Sequence, residues 1–207
     1  MIPQNLHWAF TEGHYVQTPA GSGKTKRHPL ANLVLPSGKI ATGCPGNDLI
    51  NEPNQIQPQV LPGSYAVDIS VVANKHGSGA FAFLSVIITN EKVILWEPAG
   101  HFFTDSGDGC IFDASLADNF SKKKDEISRE EWGLLKSATL QNGDGRLWLD
   151  ESSGVSAIIF RTCDWSYPCF VGRDINAQIS SFVIDGRTHR PKENVFKSFV
   201  SFFLRKM

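Results

Sequence analysis

The strongest constraint on this chain is a series of short β-branched and aromatic runs set off by turn residues. Tyr65, Val67, Ile69 and Val71 alternate with Ala66, Asp68, Ser70 and Val72, the period of two that marks a half-buried strand. Phe81 to Ile88 is apolar on both faces, as a central strand is. Asn90-Glu91 separates it from Lys92-Val-Ile-Leu-Trp-Glu97, which predicts an antiparallel hairpin. Pro36-Ser37-Gly38, between two short apolar pieces of Leu33–Ile40, is a second hairpin signal. After the turn sequence Asn142-Gly-Asp-Gly145 come Arg146–Leu149, Val155–Arg161, Cys169–Gly172 and Gln178–Asp185. About eight short strands at this spacing predict a mainly β fold, α+β at most: an antiparallel β-sandwich or open barrel with one or two short helices.

The clear helical signal lies in 121–138. Ser128-Arg-Glu-Glu131 fits a capping box, and Ile127 and Trp132 stand at the spacing of a hydrophobic staple. A helical insert near 128–138 follows. Lys122-Lys-Lys124 reads as a solvated lead-in to it, since short charge runs usually face water. Residues 1–32, with Pro19, Gly21, Gly23, Pro29 and the basic run 24–27, read as an irregular N-terminal arm anchored by Trp8 and Phe10. Residues 43–63 read as a long loop. The β-rich domain takes 33–187. The tail 188–207 reads as helical, because Phe196, Phe199, Val200 and Phe203 fit one helix face.

Charge excludes some partners. Lys plus Arg is 20 and Asp plus Glu 21, for a net charge of −1, so no global field draws the protein onto nucleic acid. No run reaches the length needed to span a bilayer. Residues 1–10 show neither a basic n-region nor an apolar h-region, so the expectation is a cytoplasmic protein. Its four cysteines, Cys44, Cys110, Cys163 and Cys169, are then expected as free thiols.

Several patterns invite a chemical reading. Gly21-Ser-Gly-Lys-Thr25 resembles the end of a phosphate-binding loop, but Thr18 stands where the first Gly belongs, and Pro29 forbids the helix that must follow. The cysteines and the six histidines show no metal-ligand spacing. Asp105-Ser-Gly-Asp-Gly-Cys-Ile-Phe-Asp113 holds Asp105, Asp108 and Asp113 within nine residues. It reads first as a turn whose carboxylates cap their own backbone, and second as a polar-ligand or metal site. Asp164-Trp-Ser-Tyr-Pro-Cys-Phe-Val-Gly-Arg-Asp174 adds Asp164, Trp165, Tyr167 and Asp174. Trp165 and Tyr167 would line a pocket or close the end of a core. Should the two segments meet, Asp105, Asp113, Asp164 and Asp174 would make a cleft suited to a general acid/base pair or a divalent cation. Asp105, Asp113 and Asp174 are the metal candidates. No cofactor is otherwise expected.

These blocks, in this order, also resemble an uncharacterised, mostly bacterial family, domain of unknown function 4241. Leu35-Pro-Ser-Gly-Lys-Ile-Ala41 is similar to its opening turn, and Leu61-Pro-Gly-Ser-Tyr-Ala-Val67 to the start of its first long strand. Asp105–Asp113 resembles its Asp-x-Gly-x-Gly-Cys-x-x-Asp segment. Trp165-Ser-Tyr-Pro168, Gly172, Asp174 and Asp185 resemble its ending. The likeness covers about residues 33–187. It departs at Asp164-Trp-Ser166, where the family has Gly-Asp-Gly, and at Pro45, where an acidic or polar residue is usual. The resemblance implies a β-rich domain and no particular reaction.

The functional expectation is a soluble binding module with a protein partner, of the immunity or accessory kind seen in interbacterial or host interaction. The alternatives are a hydrolase built on the carboxylate cleft, and a delivered toxin or effector.

Overall fold

The computed structural model describes residues 6–45, 54–56, 59–73, 79–141 and 145–189. After a 3-10 turn at Leu6–Phe10, the strands are β1 (Tyr15–Thr18), β2 (Gly21–Pro29), β3 (Leu33–Leu35), β4 (Ile40–Gly43), β5 (Asn54–Ile56), β6 (Gly63–Ala73), β7 (Gly79–Ile87), β8 (Leu95–Phe103) and β9 (Asp108–Asp113). Two helices, α1 (Ala117–Glu126) and α2 (Arg129–Gln141), precede β10 (Arg146–Asp150), β11 (Val155–Arg161), β12 (Ser166–Arg173) and β13 (Ile179–Asp185). Among the described residues they form two antiparallel sheets. The larger runs β1-β2-β6-β7-β13-β12-β8, with β3 also on β6; the smaller runs β10-β11-β9-β4-β5. The fold is mainly β with a few short helices, as the strand spacing predicts. No described helix is long and apolar enough to cross a membrane.

Alternation builds the shared core. Val67 and Ile69 of β6, Leu84 and Val86 of β7, and Phe182 and Ile184 of β13 face Ile40, Ile111, Ile158 and Phe160 of the smaller sheet. Each sheet has a second apolar layer on its outer face. On the larger sheet, Leu6, Trp8 and Ala9 of the 3-10 turn cover Val72, Phe83, Phe170 and Val183. On the smaller sheet, α1 and α2 cover Phe112, Leu147 and Ile159, with Phe120 stacked on Phe112 at 4.9 Å. Packing is close at Gly109, where a β-carbon would stand 2.6 Å from the Phe102 ring and 2.7 Å from the Phe160 ring.

The capping box forms as expected. The Glu131 N–H donates to Ser128 Oγ, and Ser128 N–H and O–H donate to Glu131 Oε2. Ile127 and Trp132 both pack on the core beneath α2. The helical region is longer than expected, because α1 fills 117–126 and carries the three lysines.

Three expectations need correction. Residues 1–32 are not an irregular arm: β2 pairs with β6 from Thr25↔Val72 to Pro29↔Asp68. Its polar sequence suits a strand with one wet face, on which Thr25 alone is buried. Second, β7 and β8 form no hairpin. Both edges of β7 are taken, by β6 and β13, as so apolar a strand requires. Residues 88–94 carry the chain past β13 and β12, and β8 pairs on the far side, Leu95↔Arg173 through Phe103↔Ser166. Third, Pro36-Ser37-Gly38 joins two sheets, with β3 on β6 and β4 on β9 and β5. The crossing needs Gly38, whose φ is +71° and where a β-carbon would stand 2.0 Å from the Val60 carbonyl oxygen. Of the acidic segment only residues 105–107 form a turn, since Asp108–Asp113 is a wholly buried strand. Residues 142–144 of the expected turn, 46–53 and 57–58 of the expected 43–63 loop, and the tail beyond 189 lie outside the described residues; within that expected loop, Asn54–Ile56 is a strand paired with β4. His189 is extended and exchanges backbone hydrogen bonds with Gln17.

Candidate functional site

The two segments singled out in the sequence do run side by side. Thr162 N–H donates to the Gly107 carbonyl at 2.8 Å, and Thr104 N–H to the Trp165 carbonyl at 3.1 Å. A β-carbon on Gly107 would lie 3.7 Å from Asp164 Oδ1. Asp105, Asp108, Asp164, Trp165 and Tyr167 thus share one end of the sandwich.

Asp113 and Asp174 do not join them. Asp174 stands past the far end of β12, eight extended residues or roughly 25 Å away. Its Oδ1 accepts the N–H groups of Asn176 and Gln178 at 2.8 and 2.9 Å. Asp113 ends β9, where Oδ1 accepts Ser115 N–H at 2.8 Å and Ser37 Oγ–H at 2.7 Å. Its Oδ2 accepts Ser37 N–H at 2.8 Å. Both carboxylates hold turns, the role that turn chemistry gives them. The three metal candidates therefore occupy separate places. Among the described residues no three His, Cys, Asp or Glu side chains are grouped to hold a metal ion.

Within the shared end the roles divide. Tyr167 is core: its ring lies 5.8 Å from Phe102 and 5.4 Å from Phe81. Its hydroxyl donates to the Cys163 carbonyl and accepts the Cys163 N–H, each at 2.9 Å. Burial pushes its pKa up to about 12, so it is a fixed hydrogen-bonding post and no acid at neutral pH. Asp105 accepts the Cys44 thiol at 3.1 Å. All four cysteines are free thiols, and burial raises the pKa of Cys110, Cys163 and Cys169, which keeps them protonated and unreactive.

The outward groups are Trp165, Phe103, Arg187, Asp105 and Asp164. Trp165 is 46% exposed and Phe103 52%. The Arg187 guanidinium lies 5.3 Å from the Trp165 ring centre, a cation–π distance. Phe103 sits one register step away, opposite Ser166, with His101 at 6.2 Å. Arg187 is held at φ +58°, a region a non-glycine residue enters at a cost. The turn that holds it is firmly built: Asp185 Oδ1 takes Thr188 N–H and Oγ1–H, both at 2.8 Å, and Gly186 N–H donates to the Ala82 carbonyl at 2.7 Å. Sequence reasoning missed Phe103 and Arg187. The only sequence signal for Arg187 is its place after Asp185-Gly186, a turn pair.

Comparison with known proteins adds a family. A model described as protein of unknown function (DUF4241) matches residues 33–184. The chain belongs to this family. No curated protein and no solved structure matches it. The DUF4241 span begins with β3 and ends within β13, so Trp165 and Phe103 fall inside it while Arg187, the 3-10 turn, β1 and β2 fall outside.

Proposed function

We propose that this chain is a non-enzymatic binding module that grips a protein partner with the Trp165 end of its sandwich. The carrying observation is the exposed Trp165, backed by the Arg187 guanidinium and flanked by the exposed Phe103. Trp and Arg are the residue types that carry most binding energy in protein interfaces. The exposed carboxylates Asp105 and Asp164 supply the polar rim such patches have. The hydrolase reading on Asp105, Asp113, Asp164 and Asp174 loses two of its four carboxylates, because Asp113 and Asp174 are spent on turns elsewhere. An immunity or accessory role is the finer form of this reading, with a protein effector as the partner.

The test places a photoreactive side chain at Phe103 and, as control, at Ile175, which is exposed at the opposite end. Partners cross-linked from Phe103 and absent from Ile175 support the reading. Trp165→Ala should then weaken the purified complex by about 2 kcal/mol, near thirtyfold. Equal cross-linking from both positions, or an affinity untouched by Trp165→Ala, would overturn it.

A further inference from the structure

A second surface, sharing no residue with the Trp165 patch, is the open edge of the smaller sheet. β10 ends the order β10-β11-β9-β4-β5, and among the described residues no strand pairs on its other side. The ladder fixes which way its backbone faces. Ile159 N–H donates to the Gly145 carbonyl at 2.9 Å, and the register runs on through Leu147↔Ala157 to Trp148↔Ser156. Alternate residues of an antiparallel strand turn their N–H and C=O toward a given neighbour. Gly145 and Leu147 turn theirs to β11, so Trp148 turns its own to the open side.

Folds blunt their sheet edges, because an open edge invites another strand. The other edges here are blunted. On β1, Gln17 exchanges backbone hydrogen bonds with His189. β8 carries Pro98, which has no N–H, with a register shift beside it. β5 is three residues long. β10 reads Arg-Leu-Trp-Leu-Asp, with neither proline nor lysine, and its one register shift falls after Trp148. Trp148 is half-buried, and the Arg146 guanidinium lies 4.7 Å from its ring centre.

This sequence is suited to meet itself. Its Leu-Trp-Leu centre is palindromic, so antiparallel pairing about Trp148 brings Leu147 of one copy opposite Leu149 of the other. Its ends carry opposite charges, so the same pairing sets the Arg146 end of each copy beside the Asp150 end of the other. Hydrogen bonds from Ser152 and Ser153 hold the Asp150 carboxyl below the usual carboxylate range, which keeps it anionic. Beside the edge, a concavity of about 470 Å³ reaches from Trp148 to Ile127 and Leu134, and Leu134 is 65% exposed. Lys123 and Arg146 line it together with Glu131 and Glu151, so its charges balance, and the whole chain carries only −1.

We propose that β10 pairs antiparallel with β10 of a second copy of this chain, about a two-fold axis at Trp148, and so joins two smaller sheets into one. Each Trp148 N–H donates to the Trp148 carbonyl of the other copy, and the two indole rings lie opposite one another. Such an axis is perpendicular to the sheet, so both helix layers fall on one face and the two concavities flank the seam. The pairing is isologous and closed, which leaves no β10 edge for a third chain.

The experiment is sedimentation equilibrium of the full chain between about 1 and 200 µM, where a reversible monomer–dimer equilibrium is expected. Trp148→Lys puts a blunting charge on the edge and should leave a monomer throughout. Ile175→Lys, at an equally open apolar side chain elsewhere, and Trp165→Ala should both dimerise as the parent does. Amide exchange of the unaltered protein reads the same contact without a substitution: the Trp148 N–H should exchange at least tenfold faster at the lowest concentration than at the highest. The proposal falls if the parent is monomeric over the whole range, if Trp148→Lys dimerises as well as the parent, if Ile175→Lys abolishes the dimer too, or if Trp148 exchange ignores concentration.

Discussion

Asp185 is a carboxyl buried among protein donors, the Thr188 N–H and O–H and the Arg187 N–H. Desolvation by burial outweighs the Thr188 hydrogen bonds and lifts its pKa from 3.8 to about 6. The folded state therefore holds this proton more tightly than the unfolded chain does, so stability falls as pH rises from about 4 to about 6 and stays lower above that. Asp185→Asn keeps an acceptor for Thr188 and carries no charge. It should flatten the pH profile of urea unfolding across that window and add roughly 1–3 kcal/mol at pH 7; a profile unchanged from the parent would refute the assignment. At this scale the sequence was partly legible. Asp113 and Asp174 could be read as turn caps because their targets are local, at Ser115, Asn176 and Gln178. The second duty of Asp113, holding Ser37, was hidden, because that partner is 76 positions away. Arg187 and Trp165 were likewise separated by a strand, a turn and a further strand, and nothing in either residue names the other.

Elements were more legible in kind than in partnership. Ser128 and Glu131 declared the start of α2 because a capping box is complete within four residues. Ser128→Ala should cost about 1 kcal/mol, read as a lower urea midpoint with an unchanged slope. No change would mean that packing of Trp132 and Leu135, not the cap, sets the helix. Strand existence was equally plain for β6, β7 and β11, where alternation or apolar run length carries the signal. Strand pairing was not, because a period of two reports which face is buried and says nothing of the neighbour. The two mistaken hairpins, at 36–38 and 90–91, are turns whose flanking strands were claimed by other partners. β2 was missed for a different reason: a strand wet on one face and rich in Lys, Arg and Gly has the composition of a loop.

At the scale of the whole molecule, family likeness and folding unit do not coincide. The matched span starts at residue 33, yet Leu6, Trp8, Ala9 and Val16 supply four of the ten buried residues of one apolar layer. A chain beginning at Leu33 should keep its far-ultraviolet β signal, lose near-ultraviolet ellipticity and bind the dye ANS through the bared Val72, Phe83, Phe170 and Val183. Native-like near-ultraviolet spectra without dye binding would show that the N-terminal segment is dispensable. The position of β13 has a consequence of another kind. It is the last of the described strands in chain order, and it lies in the middle of its sheet, between β7 and β12. Until it arrives, β1, β2, β3, β6 and β7 form one half-sheet and β8 with β12 another, each with a raw apolar edge and no strand to bridge them. The β7 edge stays open from the time that strand is made until β13 emerges, nearly a hundred residues later, so the hazard of this protein's life is concentrated in the interval before β13 is free to close the gap.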